Sequence, residues 1–231
     1  MSKIEKQYRT LLFDVDGTLL DFDAAERRGL ETVFNRNGWP TQEMIACYAE
    51  INRDLWSRFE KGEIAKAQIT NTRFERVFQA FGIQADGLET ERQYRDRLNH
   101  SAILMDGAKE TLGQLKGRYD LYVVTNGFTQ TQRMRMASSG LEDYFKASFI
   151  SEEVGYQKPQ REFFDYCFER MPGADRGETL IIGDSLSSDM KGGNNAGIDT
   201  CWLNPGGAVN GGAAKVTYEL QTLAQLAELL S

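Results

Sequence analysis

From Met105 to its end the chain alternates short apolar runs with helix-period segments, a pattern that few folds accommodate. The runs 121–125, 147–150, 179–183 and 200–203 read as strands, and 107–115, 130–138, 160–169 and 188–196 read as helices. A closing helix is expected over 220–230. Strands joined through helices return parallel, and parallel strands need both faces covered. The expected class is therefore α/β, a doubly wound parallel sheet with helices on both faces.

One further apolar run stands apart near the start. TLLFDVDGTL, residues 10–19, carries Leu11, Leu12, Phe13 and Val15 and ends in Asp14, Asp16 and Gly17. Asp-Gly after an apolar run is also a hairpin turn signal. Two acids at the mouth of a buried strand lose hydration and repel each other, which favours a cation or a proton between them. At average residue frequencies D-x-D-G-T arises by chance in roughly a few chains per thousand of this length.

Between that run and Met105 lies a segment, 21–99, with helical periodicity and no strand. Met44, Tyr48, Ile51, Leu55 and Phe59 line one face of a helix that Gly62 stops. Phe74, Val77, Phe78 and Phe81 line another, ended by Gly82, while Gly38 and Pro40 close one built on Leu30, Val33 and Phe34. Leu88, Tyr94 and Leu98 suggest a fourth. Helices in succession imply a separate small bundle inserted into the α/β core. Near its end, His100 reads as a linker residue.

The 231 residues carry a formal net charge of −7, which argues against a nucleic-acid polymer as partner. No apolar run approaches the roughly 20 residues that span a bilayer, and MSKIEKQYR lacks a signal-peptide core, so a cytoplasmic protein without a membrane partner is expected. Cys47, Cys167 and Cys201 lack metal spacing and read as reduced packing residues. Asn99-His100-Ser101 matches a glycosylation acceptor in form only. NPGGAVNGGAA, 204–214, reads as a flexible loop without phosphate-loop spacing.

Ligands of open parallel sheets sit beyond the carboxyl ends of the strands. The residues there are Asp14 and Asp16, then Thr125-Asn126-Gly127, then Gly183-Asp184-Ser185 with Asp189; Lys158-Pro159 precedes a helix that the proline is placed to start. Singly, these are common turn and cap residues. Together they suit phosphoryl transfer to a carboxylate. Asp14 can attack phosphorus, and Asp16 can protonate the leaving oxygen and later activate water. All-oxygen ligands from Asp14, Asp184 and a backbone carbonyl suit Mg²⁺, Lys158 adds positive charge, and Thr125 and Asn126 can hold phosphoryl oxygens.

Asp14-Val15-Asp16-Gly17-Thr18, Thr125-Asn126, Lys158-Pro159 and Gly183-Asp184 with Asp189 resemble, in order, the four motifs of the haloacid dehalogenase-like hydrolase superfamily. The resemblance implies a Rossmann-like catalytic core over 1–20 and 100–231 and a helical cap domain over 21–99. It implies Asp14 as nucleophile, Asp16 as acid/base and, through its backbone carbonyl, metal ligand, with Asp189 supporting Lys158 and the metal. It also implies that the strands bearing Asp14 and Asp184 are neighbours. Asn52-x-x-Leu55-Trp56, Gly62-Glu63-Ile64, Arg73-Phe74-Glu75, Gly127-Phe128-Thr129, 150–155, Asn195-Ala196-Gly197 and 201–204 are similar to the bacterial pyrimidine 5′-nucleotidases of that superfamily. A small phosphorylated metabolite, a nucleoside monophosphate, is then the expected substrate.

Competing readings remain at this stage. A sugar-phosphate phosphatase or a mutase of the beta-phosphoglucomutase kind would keep Asp16. A haloacid dehalogenase would lack that acid, and a phospho-accepting signalling module would be about half as long and would not carry the helical insertion. Trp56, Phe59 and Phe22 are candidates to stack on a base, and Arg53, Arg58 and Lys61 to contact a ribose or carbonyl.

Overall fold

A computed structural model describes residues 6–231. The N-terminal reading above rests partly on residues 1–5, which lie outside the described residues. The described chain divides into two compact units, one running to Phe22 and resuming over Ile103–Ser231, the other Asp23–Ala102.

In the first unit six strands form one sheet, β1 (Thr10–Phe13), β2 (Asp120–Thr125), β3 (Ala147–Ile150), β4 (Thr179–Gly183), β5 (Asp199–Leu203) and β6 (Tyr218–Leu220), all parallel in the order β3-β2-β1-β4-β5-β6. β1 is central, with Leu11 opposite Leu121 on one side and Leu180 on the other. The strands bearing Asp14 and Asp184 are thus neighbours. Alternate residues along β1 feed opposite faces, as a period of two requires. Leu11 and Phe13 join Leu121, Val123, Leu180 and Ile182 on one face, while Leu12 joins Val124, Ile181, Phe163 and Phe164 on the other. Each such apolar side chain contributes about 1.5–3 kcal/mol on burial, which anchors the strand that presents the acids.

The helices of this unit are α5 (Ala108–Leu115), α6 (Thr129–Ser139), the single turn α7 (Ser151–Val154), α8 (Arg161–Glu169), α9 (Lys191–Ala196) and α10 (Leu223–Leu229); α1 to α4 belong to the helical unit described below. Four details differ from expectation. The end of the chain is a three-residue strand before α10, too short to register as a period, and the Gln225 side-chain oxygen accepts from the N–H groups of Gln221 and Thr222 to begin the helix there. The helix expected at 188–196 is split into a wide turn over Leu186–Met190 followed by α9. Pro159 does not start α8, which begins two residues later behind Gln160. The loop 204–214 is built from two closed turns. Asn204 bonds both backbone groups of Ala208 at 2.9 and 2.8 Å, and Asn210 both of Ala214 at 2.8 and 3.2 Å.

The second unit consists of α1 (Phe22–Arg36) beyond its first residue, α2 (Thr41–Glu60), α3 (Lys66–Phe81) and α4 (Gly87–Asn99). Met44, Tyr48, Leu55 and Phe59 are buried along α2, and Gly82 ends α3 in the left-handed conformation. Leu88, expected on the apolar face of α4, is 49% exposed. At the centre lies a buried ion pair. Arg73 meets Glu91 through two bonds of 2.7 Å and donates to Asn52 at 3.0 Å. Asn52 in turn donates to Glu26 at 3.1 Å, as does Tyr94 at 3.2 Å. Among the described residues no helix is long and apolar enough to cross a membrane.

Candidate active site

Asp14 follows β1 directly, and its N–H donates to the Ile182 carbonyl at 2.9 Å, so the ladder to β4 carries one residue past the strand. The chain then winds into a tight turn in which the N–H groups of Leu19 and Leu20 both reach the Val15 carbonyl. Gly17 takes φ +79°, and a Cβ there would lie 2.5 Å from Asp184 Oδ2. Only glycine lets the two acid-bearing loops approach this closely.

Lys158 is the hub. Its ammonium is 1% exposed and donates at 2.6 Å to Asp14 Oδ1, at 2.6 Å to Asp189 Oδ1 and at 2.8 Å to the Val124 carbonyl. The loop that presents it is fixed from outside. Asn126 donates its side-chain amide to the Lys158 carbonyl at 2.8 Å and accepts from the Lys158 N–H at 2.9 Å, while Asn195 donates to the Pro159 carbonyl at 2.8 Å. Both ends of the Asn126 side chain therefore serve Lys158. Asp189 uses its second oxygen to accept from the Ser185 N–H at 3.1 Å, and the Trp202 indole donates to the Asp184 carbonyl at 2.8 Å.

Asp14, Asp184 and Asp189 each bring a carboxylate oxygen within 4.8 Å of the others. Burial pushes the Asp14 carboxyl well above the usual carboxylate range; Lys158 pulls it down, and Asp189 and Asp184 add to the rise. Asp184 is an exposed residue, yet the protein atoms around its carboxyl, then Asp189, and more weakly Asp16, push it up to about 7. Burial alone would depress Lys158, but Asp14 and Asp189 prevail and hold it above its ordinary value, so it stays charged. Three hard oxygen donors, two of them on carboxyls (Asp14 and Asp184) held above the usual carboxylate range, fit a small divalent cation, which would favour the ionised forms of those two.

Asp16 faces a different set of partners. Arg135 Nη1 donates to Asp16 Oδ1 at 2.5 Å and Gln132 Nε2 to Asp16 Oδ2 at 2.7 Å. Gln132 Nε2 also lies 2.8 Å from Thr125 Oγ1, which in addition accepts from the Gly127 N–H at 3.0 Å. Sequence reasoning did not single out Gln132 or Arg135. The available signal was α6 itself, whose sheet-facing positions i and i+3 are polar where a packing helix would be apolar.

The remaining candidates are dispersed within their own units. Phe59 is buried and meets Trp56 edge-on at 5.7 Å, beside Leu55 and Ile69, and Lys66 lies over both rings. Phe22 lies under the Arg135 guanidinium at 5.6 Å. Arg58 pairs with Glu63 at 3.4 Å, and Arg53 and Lys61 are exposed. Asn52 and Arg73 are core residues of the helical unit. His100 caps α4 with Nδ1 2.7 Å from the Asp96 carbonyl. The three cysteines are free.

A six-stranded parallel sheet with an acidic, lysine-bridged centre beyond the ends of its middle strands defines an α/β enzyme equipped for a charged substrate. The chain belongs to the haloacid dehalogenase-like hydrolase family, whose model matches residues 8–197, and it is a phosphatase of that family. It is 46% identical to the HAD-hydrolase YfnB of Bacillus subtilis over 98% of this chain and 97% of that protein. The crystal structure of YfnB bound to magnesium matches with a TM-score of 0.93, covering 98% of this chain and all of that one. Identity to the pyrimidine 5′-nucleotidase PynA of Streptococcus pneumoniae is 42% over 96% of this chain and 95% of that protein. For the pyrimidine 5′-nucleotidase YjjG of Escherichia coli it is 33% over 95% and 96%.

Proposed function

We propose that this phosphatase is a Mg²⁺-dependent 5′-nucleotidase that hydrolyses nucleoside monophosphates, pyrimidine ones foremost, through an aspartyl phosphate on Asp14. The observation that carries the mechanism is the Lys158 ammonium shared by Asp14 and Asp189 at 2.6 Å each, with Asp184 alongside. The substrate class is supported by the likeness to PynA and YjjG.

In this reading Asp14 attacks phosphorus while the bond to the leaving oxygen breaks and Asp16 passes a proton to that oxygen. Water, deprotonated by Asp16, then attacks the phosphoryl group and releases phosphate and free Asp14. Lys158 aims Asp14 and offsets charge, and the Thr125 hydroxyl holds a phosphoryl oxygen. Asn126 holds the Lys158 loop and borders the phosphoryl group. Asp14, the Asp16 carbonyl and Asp184 would hold Mg²⁺, with Asp189 behind them; the bound ion supplies the positive charge that lets a phosphate dianion enter among carboxylates. The helical unit is the cap domain of the superfamily. Free cysteines suit a reducing compartment, and we take the enzyme to act in the cytoplasm on a small metabolite.

Phosphate release across nucleoside and sugar monophosphates, with EDTA and Asp14→Asn as controls, tests the proposal. Nucleotide hydrolysis that both controls abolish is expected. Hydrolysis retained in Asp14→Asn would sink the mechanism, and a sugar phosphate preferred over every nucleotide would sink the substrate assignment.

A further inference from the structure

The side of α6 turned into the core is polar. Thr131, Gln132, Arg135 and Ser139 are buried there beside Met136, and Arg135 is fully enclosed. Enclosing a guanidinium costs several kcal/mol unless well-placed partners compensate, and an apolar side chain of similar volume would fill the same space. Its ion-pair partner is Asp16, whose side chain is still 26% exposed. The charge is thus built into the core to meet a carboxylate that itself reaches out of it.

The geometry is specific. One carboxylate oxygen of Asp16 faces Arg135 Nη1 at 2.5 Å and the other faces Gln132 Nε2 at 2.7 Å. Two donors on two oxygens fix both torsions of an aspartate side chain that would otherwise sample several rotamers. The donors lie three residues apart on one helix and share a face. Gln132 Nε2 also approaches Thr125 Oγ1 at 2.8 Å, and the Gly127 N–H reaches the same oxygen at 3.0 Å. With its oxygen accepting from two sides, the Thr125 hydroxyl keeps its proton available to donate.

We propose that Gln132 and Arg135 are positioning residues, which hold the Asp16 carboxylate in the orientation from which it serves the leaving oxygen and then the attacking water, with Gln132 setting the Thr125 hydroxyl by the same contact. This rests on the phosphatase mechanism proposed above. In its first step the phosphorus–oxygen bond to the leaving group breaks, the Asp14–phosphorus bond forms, and the Asp16 proton moves to the departing oxygen. A leaving group that is stable as an anion has little need of that proton. Misplacing Asp16 therefore harms poor leaving groups selectively, whereas a packing defect harms all substrates alike.

The test compares kcat/KM, which reports the steps through formation of the phosphoenzyme, on the best alkyl monophosphate of the substrate panel and on 2,4-dinitrophenyl phosphate. Wild type, Arg135→Met, Arg135→Lys, Gln132→Leu and Asp16→Asn are measured with Mg²⁺. Positioned acid–base catalysis is worth about 10²–10⁴-fold, and displacing the acid is expected to forfeit about 10- to 100-fold of it on the alkyl ester. Arg135→Met and Gln132→Leu should show that loss mainly in kcat, with less than about a 5-fold loss on the activated ester, and Arg135→Lys should recover part. Equal losses on both esters, or no loss on the alkyl ester, would overturn the proposal. Should Arg135→Met not fold, Gln132→Leu decides by the same ratio. Asp16→Asn keeps the two levels apart. If it spares the alkyl ester, the acid/base reading falls and the proposal with it. If it discriminates between the esters while the α6 variants do not, positioning alone falls.

Discussion

The Lys158 ammonium donates to Asp189 at 2.6 Å where both side chains are only 1% exposed, and the same ammonium reaches Asp14 at an equal distance. Removing one partner of a buried ion pair costs about 3–5 kcal/mol, because the other charge stays enclosed. Lys158→Met leaves two enclosed carboxylates without their shared cation. Urea denaturation in EDTA should show a loss of that order, with Mg²⁺ restoring part of it, and phosphate release should fall by about 10²–10³-fold or more. Stability unchanged in EDTA would contradict the role of Lys158 as the charge that balances this centre.

Gly17→Ala is expected to act on metal binding as well as on folding. Its Cβ would sit 2.5 Å from Asp184 Oδ2 at a φ of +79°, so Asp184 must move and the backbone takes up about 1–3 kcal/mol of strain. With Mg²⁺ held as proposed, wild type at a hundredfold excess of the ion over its Kd should gain about 2.7 kcal/mol of stability. That gain should shrink in Gly17→Ala at the same Mg²⁺ concentration and also in Asp184→Asn, which lacks the strain. Denaturation curves with and without Mg²⁺ measure it, and an undiminished gain in both variants would remove Asp184 from the metal site.

In the helical unit, Arg73→Met should cost up to about 3–5 kcal/mol by leaving the enclosed Glu91 with only Arg95, at 3.0 Å, as ionic partner, while the double variant Arg73→Met with Glu91→Leu should recover much of the loss. The pair is 4% and 7% exposed and makes two parallel bonds of 2.7 Å, the geometry in which such coupling is largest. Chemical denaturation of the four species closes the cycle. Additive losses would show that the two charges do not depend on each other.

The acid limb of the stability profile should carry the signature of Asp199. Burial pushes its carboxyl up, but bonds from Lys6 and from the Tyr8 hydroxyl at 2.7 Å outweigh this and hold it below the ordinary value. A depressed carboxylate contributes stability that is present above its unfolded pKa and is lost as pH falls through its folded one. Asp199→Asn should therefore be less stable than wild type at neutral pH and should lose less on acidification below about pH 4, as followed by urea midpoints. Parallel acid limbs would exclude Asp199 as a contributor.

Much of this molecule could be read from its residues because the strands are continuous apolar runs and their acids stand at the ends. Gly82 was legible as a helix stop because that depends on local chemistry, whereas the adjacency of the strands bearing Asp14 and Asp184 followed from the family resemblance. Arg135 was not legible. Its partner Asp16 lies 119 positions away, and a polar residue on a helix reads as solvent-facing until the pairing is seen. Arg73 and Asn52 stood out only within stretches resembling the nucleotidases, and their place in a buried network with each other, Glu91 and Glu26 was hidden for the same reason. The Asn126 amide looked available to a ligand because nothing in the sequence says that both its ends meet the Lys158 backbone. Periodicity reports where apolar atoms go, and polar atoms enter a core only through partners it cannot see.

The sheet sets its earliest strand in the middle, with Thr10 opposite Asp120 on one edge and Thr179 on the other. A chain emerging from the ribosome has the acidic loop before any neighbour for it, and Lys158, Asp184 and Asp189 arrive only after the helical unit has been made. Contacts so distant in sequence form late and cooperatively, whereas helix pairs can form locally. In a refolding experiment, helix content should therefore recover before turnover. Regained turnover would count the molecules whose sheet has closed around β1, making catalysis a stricter gauge of completed folding than circular dichroism.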